Sequence, residues 1–241
     1  MRNFTEYEKS EARKNTFVLI GMTGNGKSQI IKFLTGDKNV KVSDSKSSCT
    51  SFTNLYYSSI KNDANNQKFV CFIDTAGFCD SKGSHQDRSN YNNIKNILIE
   101  NKCEIKGIFI VENFQTERVN GEDKKIFKCA SDLFPIKNFW DYTTIIFTHY
   151  YDKGSKKRGK IKKKQEEELS NILEEIIEDI HERIKSIKII DQKYIHRLYI
   201  DIDDETIERK YDLSDEDEKA SYENGTKELQ LAKKELYKEN F

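Results

Sequence analysis

Thr16-Phe17-Val18-Leu19-Ile20-Gly21-Met22-Thr23-Gly24-Asn25-Gly26-Lys27-Ser28 decides how this chain folds. The first five residues are apolar and run into a glycine-rich stretch, which predicts a short buried strand. The next eight, Gly21–Ser28, fit the pattern G-x-x-x-x-G-K-[ST]. A helix is expected from Lys27 to about Leu34, ended by Gly36. Strand, glycine loop and helix in that order form an anion cradle. The glycines let successive N–H groups turn inward, and the helix adds the positive end of its dipole. Gly21, Thr23, Gly24, Asn25 and Gly26 are therefore expected to wrap the phosphates of a nucleotide, with Gln29 beside them at the helix start. Lys27 places a cation on the β- and γ-phosphates, and the Ser28 hydroxyl supplies one Mg²⁺ ligand.

Downstream, residues 37–53 are polar and without periodicity and read as a loop. Asn54–Ile60 and Lys68–Ile73 are strand-like, and the link between them is too short for a crossover helix, so they should pair antiparallel. The second of these strands runs into Asp74-Thr75-Ala76-Gly77. A carboxylate at a strand's carboxyl end can reach Mg²⁺ through water, and the Gly77 N–H can bond a γ-phosphate, so this turn can sense that phosphate.

The remaining pattern alternates. A second polar loop precedes a helix from about Tyr91 to Asn101. Ile105–Val111 is a fourth strand, Gly121–Leu133 a helix closed by Pro135, and Tyr142–Phe147 a fifth strand. The basic run Lys153–Lys164 reads as a solvated loop, with contact to an anionic membrane or an acidic partner as the alternative. A long helix to about Ser186 carries Leu169, Leu173, Ile176, Ile180, Ile184 and Ile187 at helical spacing, a seam expected to pack on the domain. Arg197–Ile202 is a sixth strand, and the tail after Ser214 reads as helical. Strands alternating with helices predict a doubly wound α/β sheet.

Composition excludes several classes. The 241 residues are 36% hydrophobic and 34% charged, with 41 basic and 41 acidic side chains. The zero net charge offers no field for nucleic acid, and the basic run lacks interleaved aromatics, so no nucleic-acid partner is expected. The longest apolar runs fall far short of the ~20 residues that span a bilayer. No transmembrane segment, apolar leader or lipidation motif is expected, and the chain is read as cytoplasmic, with peripheral membrane contact through Lys153–Lys164 as an option. Five cysteines without CxxC spacing predict reduced thiols and no metal site among them.

Three segments together carry a resemblance. Thr23–Ser28 (TGNGKS), Asp74–Ser81 (DTAGFCDS) and Phe147–Gly154 (FTHYYDKG) resemble the AIG/GIMAP group, the immunity-associated nucleotide-binding GTPases. That group is similar to the chloroplast import-receptor GTPases and, more distantly, to septins. Glu117–Phe127 also resembles the group's conserved box. The resemblance spans roughly residues 15–205 and implies a P-loop GTPase fold, with a mostly parallel six-stranded sheet, one antiparallel strand and a C-terminal helical extension. It divides the chain into a polar arm or short helix at 1–15, a GTPase domain at 16–205 and an extension at 206–241.

The resemblance also implies roles. Ser48-Cys49-Thr50 matches the triplet that supplies the first switch hydroxyl, so Thr50 becomes a second Mg²⁺ ligand beside Ser28 and Asp74, with Ser51 and Thr53 as rivals. Asp152 takes the place of the guanine-reading carboxylate, four residues past Thr148 where an ordinary GTPase has three, and His149 or Tyr150 stacks on the base. Asp203 or Asp204 occupies the place of the second base contact. Phe78 follows Gly77, where an efficient GTPase has a glutamine to orient water, so hydrolysis should be slow. Lys27, Thr50 and Gly77 are the catalytic candidates within the chain. Arg118 is expected to complete a partner's site across a GTP-dependent homodimer; a surface or helix-capping arginine is the alternative. The implied function is a guanine-nucleotide switch using GTP/GDP and Mg²⁺. An assembly scaffold with little hydrolysis and an ATP-dependent P-loop enzyme are the competing readings.

Overall fold

The computed structural model describes residues 3–37, 40, 53–61, 67–78, 84–114, 121–149 and 155–199. Its centre is β1 (Thr16–Ile20), every residue of which is buried. Side chains alternate along a strand, so β1 feeds two cores. Val18 and Ile20 join Ile73, Ile108, Ile110 and the helices of one face, whereas Phe17 and Leu19 join Ile30, Ile31, Phe72 and Phe109 on the other. Each such buried side chain contributes about 1.5–3 kcal/mol of transfer free energy, which fixes β1 as the middle of the sheet.

Around it the chain runs α1 (Glu6–Arg13), β1, α2 (Lys27–Thr35), β2 (Asn54–Lys61), β3 (Gln67–Asp74), α3 (Ser84–Glu100), β4 (Ile105–Asn113), α4 (Gly121–Leu133), β5 (Thr143–Thr148), α5 (Ser155–Arg183) and β6 (His196–Tyr199). The sheet order is β2-β3-β1-β4-β5-β6. Only β2 is antiparallel: Asn54 stands opposite Asp74 and Lys61 opposite Gln67, the hairpin the short link demands. The parallel strands all point their carboxyl ends to one edge, where the glycine loop leaves β1 and Asp74 ends β3.

Residues 6–13 form a helix with a full capping box, Thr5 and Glu8 exchanging backbone and side-chain bonds. Phe4 meets Tyr57 and Phe69, and Ala12 is buried, so this helix packs on the hairpin. The expected seam of α5 is packed on the domain: Leu169, Leu173, Ile176 and Ile180 are buried, and Arg183 bridges to Asp132 of α4 at 2.7 Å.

Several boundaries differ from the sequence reading, most of them by one or two residues. The segment Ser155–Lys164, read as part of a basic loop, heads α5. Lysine and arginine are good helix formers, and one interior glycine, Gly159, costs only about 1 kcal/mol against 29 residues of helix. α3 begins at Ser84 rather than near Tyr91, because its first turns are polar and show no apolar period. β5 runs one residue further than read, to Thr148.

Candidate functional site

The glycine loop folds as its sequence demands. Gly24 and Gly26 take φ of 86° and 85°, a left-handed conformation costly for a side chain. Gly26 is the N-cap of α2, with no side-chain cap and no acidic residue in the first turn. The positive end of the helix is thus left to an anion. Lys27 is 6% exposed, and its Nζ donates to the carbonyls of Gly21 at 3.0 Å and Met22 at 2.8 Å. Those bonds hold the ammonium inside the curve of the loop.

Asp74 ends β3 directly below. The Ser28 Oγ donates to Asp74 Oδ2 at 2.6 Å, and Asp74 is 1% exposed. Burial raises its carboxyl above the usual carboxylate range; the Ser28 hydrogen bond and the Lys27 charge pull against that rise. Asp74 Oδ1 is buried with no hydrogen-bond partner among the described residues. A buried carboxylate oxygen so placed, beside a serine hydroxyl and a phosphate cradle, fits a hard divalent cation that takes oxygen ligands. The donor set suits Mg²⁺ with a nucleoside polyphosphate, held by Ser28, Asp74 and Lys27.

The Asp74–Phe78 turn is clamped from three sides. Thr75 Oγ1 donates to the Leu19 carbonyl at 2.6 Å. Asn90 of α3, itself buried, donates to the Gly77 carbonyl at 2.8 Å. The Phe78 N–H donates to the Gly21 carbonyl at 3.2 Å, and the Phe78 ring is buried in the core. A Cβ built on Gly77 would stand 2.0 Å from Thr23 Oγ1 and 2.5 Å from Thr23 N, so only glycine fits against the loop.

Asn25 anchors the loop to the neighbouring strands. Its side chain donates to the Val111 carbonyl at 2.8 Å and to Glu112 Oε2 at 3.3 Å. Thr148 Oγ1, at the end of β5, donates to the Asn25 carbonyl at 2.9 Å and is also 3.2 Å from the Glu112 carbonyl. His149 follows with φ of 56°, a left-handed turn that is uncommon outside glycine but more frequent for histidine. It takes the chain off the sheet edge next to the loop.

The structure therefore brings together Gly21, Thr23, Gly24, Asn25, Gly26, Lys27, Ser28, Asp74 and Gly77, with His149 one residue past Thr148. Thr50, Ser51, Arg118, Tyr150, Asp152, Asp203 and Asp204 lie outside the described residues. Thr53, the third switch hydroxyl candidate, is buried just before Asn54, which pairs with Asp74; its Oγ1 has no hydrogen-bond partner among the described residues. Sequence reasoning missed Asn90, Glu112 and Thr148. Thr148 enters the sequence reading only as the residue from which Asp152 is counted, and nothing local marks the other two.

A family model described as the AIG1 family matches residues 15–194. The chain belongs to the AIG1 family. Its fold is the P-loop GTPase fold. A dimerization-deficient mutant of Toc33 from Arabidopsis thaliana superposes with a TM-score of 0.61 at 18% identity, over 95% of this chain and 88% of that one. Toc33 from the same plant in complex with GDP and Mg²⁺ gives 0.59 at 20%, over 83% and 75%. A structure concerning the chloroplast translocon components atToc33 and psToc159, whose dimerization is important for GTPase activity, gives 0.57 at 18%, over 83% and 74%. At these identities the likeness carries the fold. Among curated proteins, the probable GTP-binding protein EngB of Cytophaga hutchinsonii is 24% identical over 134 residues, which are 55% of this chain and 63% of EngB. The match thus spans less than two thirds of that relative. Within this AIG1-family chain, no described group of three or more His, Cys, Asp or Glu could hold a metal by itself, and no described helix is long and apolar enough to cross a membrane.

Proposed function

We propose that this AIG1-family chain is a guanine-nucleotide switch that hydrolyses GTP slowly to GDP and phosphate, and that its GTP-bound state self-associates. The observation that carries the reading is the joining of Ser28 to Asp74 beneath the glycine loop, with Gly77 packed on Thr23. That arrangement links the cation-binding residues to a turn able to register the γ-phosphate.

Bound Mg²⁺ would neutralise charge on the β- and γ-phosphate oxygens. The protein does the rest by position. Lys27 brings a buried cation to the phosphates, the loop N–H groups hold the oxygens, and Asp74 orients the Ser28 hydroxyl. The Gly77 N–H meets the γ-phosphate, and Thr50 adds a second hydroxyl to the metal. Asp152 accepts from the two donors of the guanine edge, His149 stacks on the ring, and Asp203 completes the base site. Slow turnover follows from Phe78. Its ring lies in the core and cannot orient a water, so an arginine supplied in trans, Arg118, is the proposed complement.

Phe78 also favours a second reading, an assembly scaffold whose nucleotide stabilises a shape and is rarely hydrolysed. Turnover measured alongside self-association in GDP and in a non-hydrolysable GTP analogue separates the two. The chain is placed in the cytoplasm, on the odd number of cysteines without paired spacing, and peripheral to a membrane if Lys153–Lys164 meets anionic lipid.

The direct test is the nucleotide itself. Ligand released from purified protein should elute as GDP or GTP on anion exchange, and GDP should bind far more tightly than ADP. Asp152→Asn should relax that preference, because a site built to pair a carboxylate with two donors can reject a base lacking them by roughly 10⁴-fold. Lys27→Ala should weaken binding by about 2–5 kcal/mol with an unchanged circular dichroism spectrum. Unchanged affinity in Lys27→Ala sinks the proposed phosphate site.

A further inference from the structure

α3 turns one face to the core. Of its described side chains only Asn90 and Ile94 are buried, and Ile97 and Leu98 pack partly behind them. These positions fall at i, i+4, i+7 and i+8, the stripe that an amphipathic helix directs inward. Asn90, 1% exposed, heads that stripe. An apolar side chain there would pack without a desolvation cost, whereas a buried amide needs hydrogen-bond partners to offset one. Asn90 finds one outside its own helix: Nδ2 donates to the Gly77 carbonyl at 2.8 Å.

That bond completes a lock on a single peptide. The Gly77–Phe78 peptide has its carbonyl held by Asn90 and its N–H held by the Gly21 carbonyl at 3.2 Å. Met22 and Phe78 form a parallel bridge, so the pairing of β1 with β3 continues past both strands into the loop and the turn. A planar peptide tied at both polar ends does not rotate freely. On the other side, the Thr75 hydroxyl is tied to the Leu19 carbonyl. Between the two ties stands the Ala76–Gly77 peptide, whose N–H is the γ-phosphate contact of the proposed switch.

We propose that Asn90 is a positioning residue for that contact and sets the preference of the site for a nucleoside triphosphate over the diphosphate. The proposal rests on the switch reading of the turn. Gly77 is buried, so without the Asn90 donor its carbonyl would stay in place only as an unsatisfied acceptor. The less costly arrangement turns that carbonyl toward another donor or water. The Gly77 N–H is then displaced as well, because both peptides meet at Gly77, where no Cβ resists rotation. A diphosphate makes no contact with Gly77 and does not feel the change. A triphosphate loses a hydrogen bond or must restore the turn before it binds.

The helix that carries Asn90 has its own footing. Ile94 is fully buried one turn on, and the Tyr91 hydroxyl donates to the Asp132 carbonyl of α4 at 3.1 Å. Both fix α3 independently of the turn, and a donor on a rigid element holds a loop in one geometry better than a donor on another loop. The coupling is reciprocal. A γ-phosphate that holds Gly77 also holds Asn90, so triphosphate binding steadies the α3 backbone.

The test titrates the full chain with GDP and with a non-hydrolysable GTP analogue, each with Mg²⁺, in the unaltered protein, Asn90→Asp and Asn90→Ala. Asn90→Asp keeps the size of the side chain and, ionised, offers no donor; Asn90→Ala is the milder change for folding, and a melting curve in GDP confirms that it is folded. In both variants affinity for the GTP analogue should fall roughly tenfold further than affinity for GDP, the scale of one lost buried hydrogen bond. Exchanging GDP for the analogue should slow amide exchange across residues 84–100 in the unaltered protein and leave it little changed in Asn90→Ala. An equal loss for both nucleotides, or no loss for either, would show that Asn90 only packs, and would overturn the proposal while leaving the switch reading intact. An unaltered protein that binds neither nucleotide would sink the switch reading and this proposal with it.

Discussion

Thr23 and Gly77 are in such close contact that a single methyl group on the glycine would stand 2.0 Å from the threonine hydroxyl. The phosphate loop and the Asp74–Phe78 turn are therefore one packed unit. Gly77→Ala should destabilise the protein by about 1–3 kcal/mol, the usual range for overpacking a filled site, and weaken nucleotide binding with it. Thr23→Ala should fail to rescue it, since the Thr23 backbone nitrogen would still lie 2.5 Å away. Melting temperature and GDP titration of the single and double variants check this; full rescue would show that the two backbones are free to separate.

Asp74 sets stability against binding. Its carboxylate is buried and one oxygen has no hydrogen-bond partner among the described residues, so in metal-free, nucleotide-free protein its charge opposes folding. Asp74→Asn should stabilise that form by about 1 kcal/mol, or about 2–4 °C in melting temperature. The sign follows from the raised carboxyl. A group protonated more readily when folded favours folding at low pH and loses that contribution as pH rises through its folded value. The variant's gain is therefore full at neutral pH and fades in acid, where Asp74 is itself neutral. Mg²⁺-dependent nucleotide affinity should fall in the same protein. Melting curves in chelator across pH, paired with Mg²⁺ titrations, would expose a variant that loses stability instead.

Thr148 reaches the loop from the end of β5. Thr148→Val keeps the shape and removes the donor to the Asn25 carbonyl. Leaving a buried acceptor unpaired costs about 1–3 kcal/mol. Nucleotide affinity should drop along with stability, because Asn25 is also the residue that ties the loop to Val111 and Glu112. Denaturant unfolding and fluorescent-nucleotide titration measure the two effects, and a stable variant with intact affinity would show that the clamp is dispensable.

Self-association is the fourth test. Specific GTPase activity should rise with protein concentration, and Arg118→Ala should flatten that rise without changing GDP affinity. A well-placed arginine supplied in trans can contribute roughly 10³–10⁵ in rate, so even a loose contact would be visible. Light scattering with a GTP analogue against GDP reads the association directly. A monomer in both states with concentration-independent activity would leave a slow monomeric switch.

The sequence by itself determined what depends on local chemistry. TFVLI followed by GMTGNGKS specifies a buried strand, a glycine loop and a helix, because apolar patterning, permissive glycines and the Lys27–Ser28 pair act within a dozen residues. The hairpin was legible for the same reason, since its short link allows one pairing, and Asp74-Thr75-Ala76-Gly77 marked the opposing turn. The start of α3 was not legible, because Ser84–Asn90 shows polar residues with no period, and neither was the helical state of Ser155–Lys164, where the charge run suggested solvent more strongly than propensity suggested helix. Only the tertiary structure decided that Asn90 holds Gly77 and that Glu112 and Thr148 hold Asn25. The Asn25 contacts join residues 87 and 123 positions apart in the chain through the order of strands in the sheet. Strand order is settled by the packing of both faces around β1, a collective burial that no local pattern encodes.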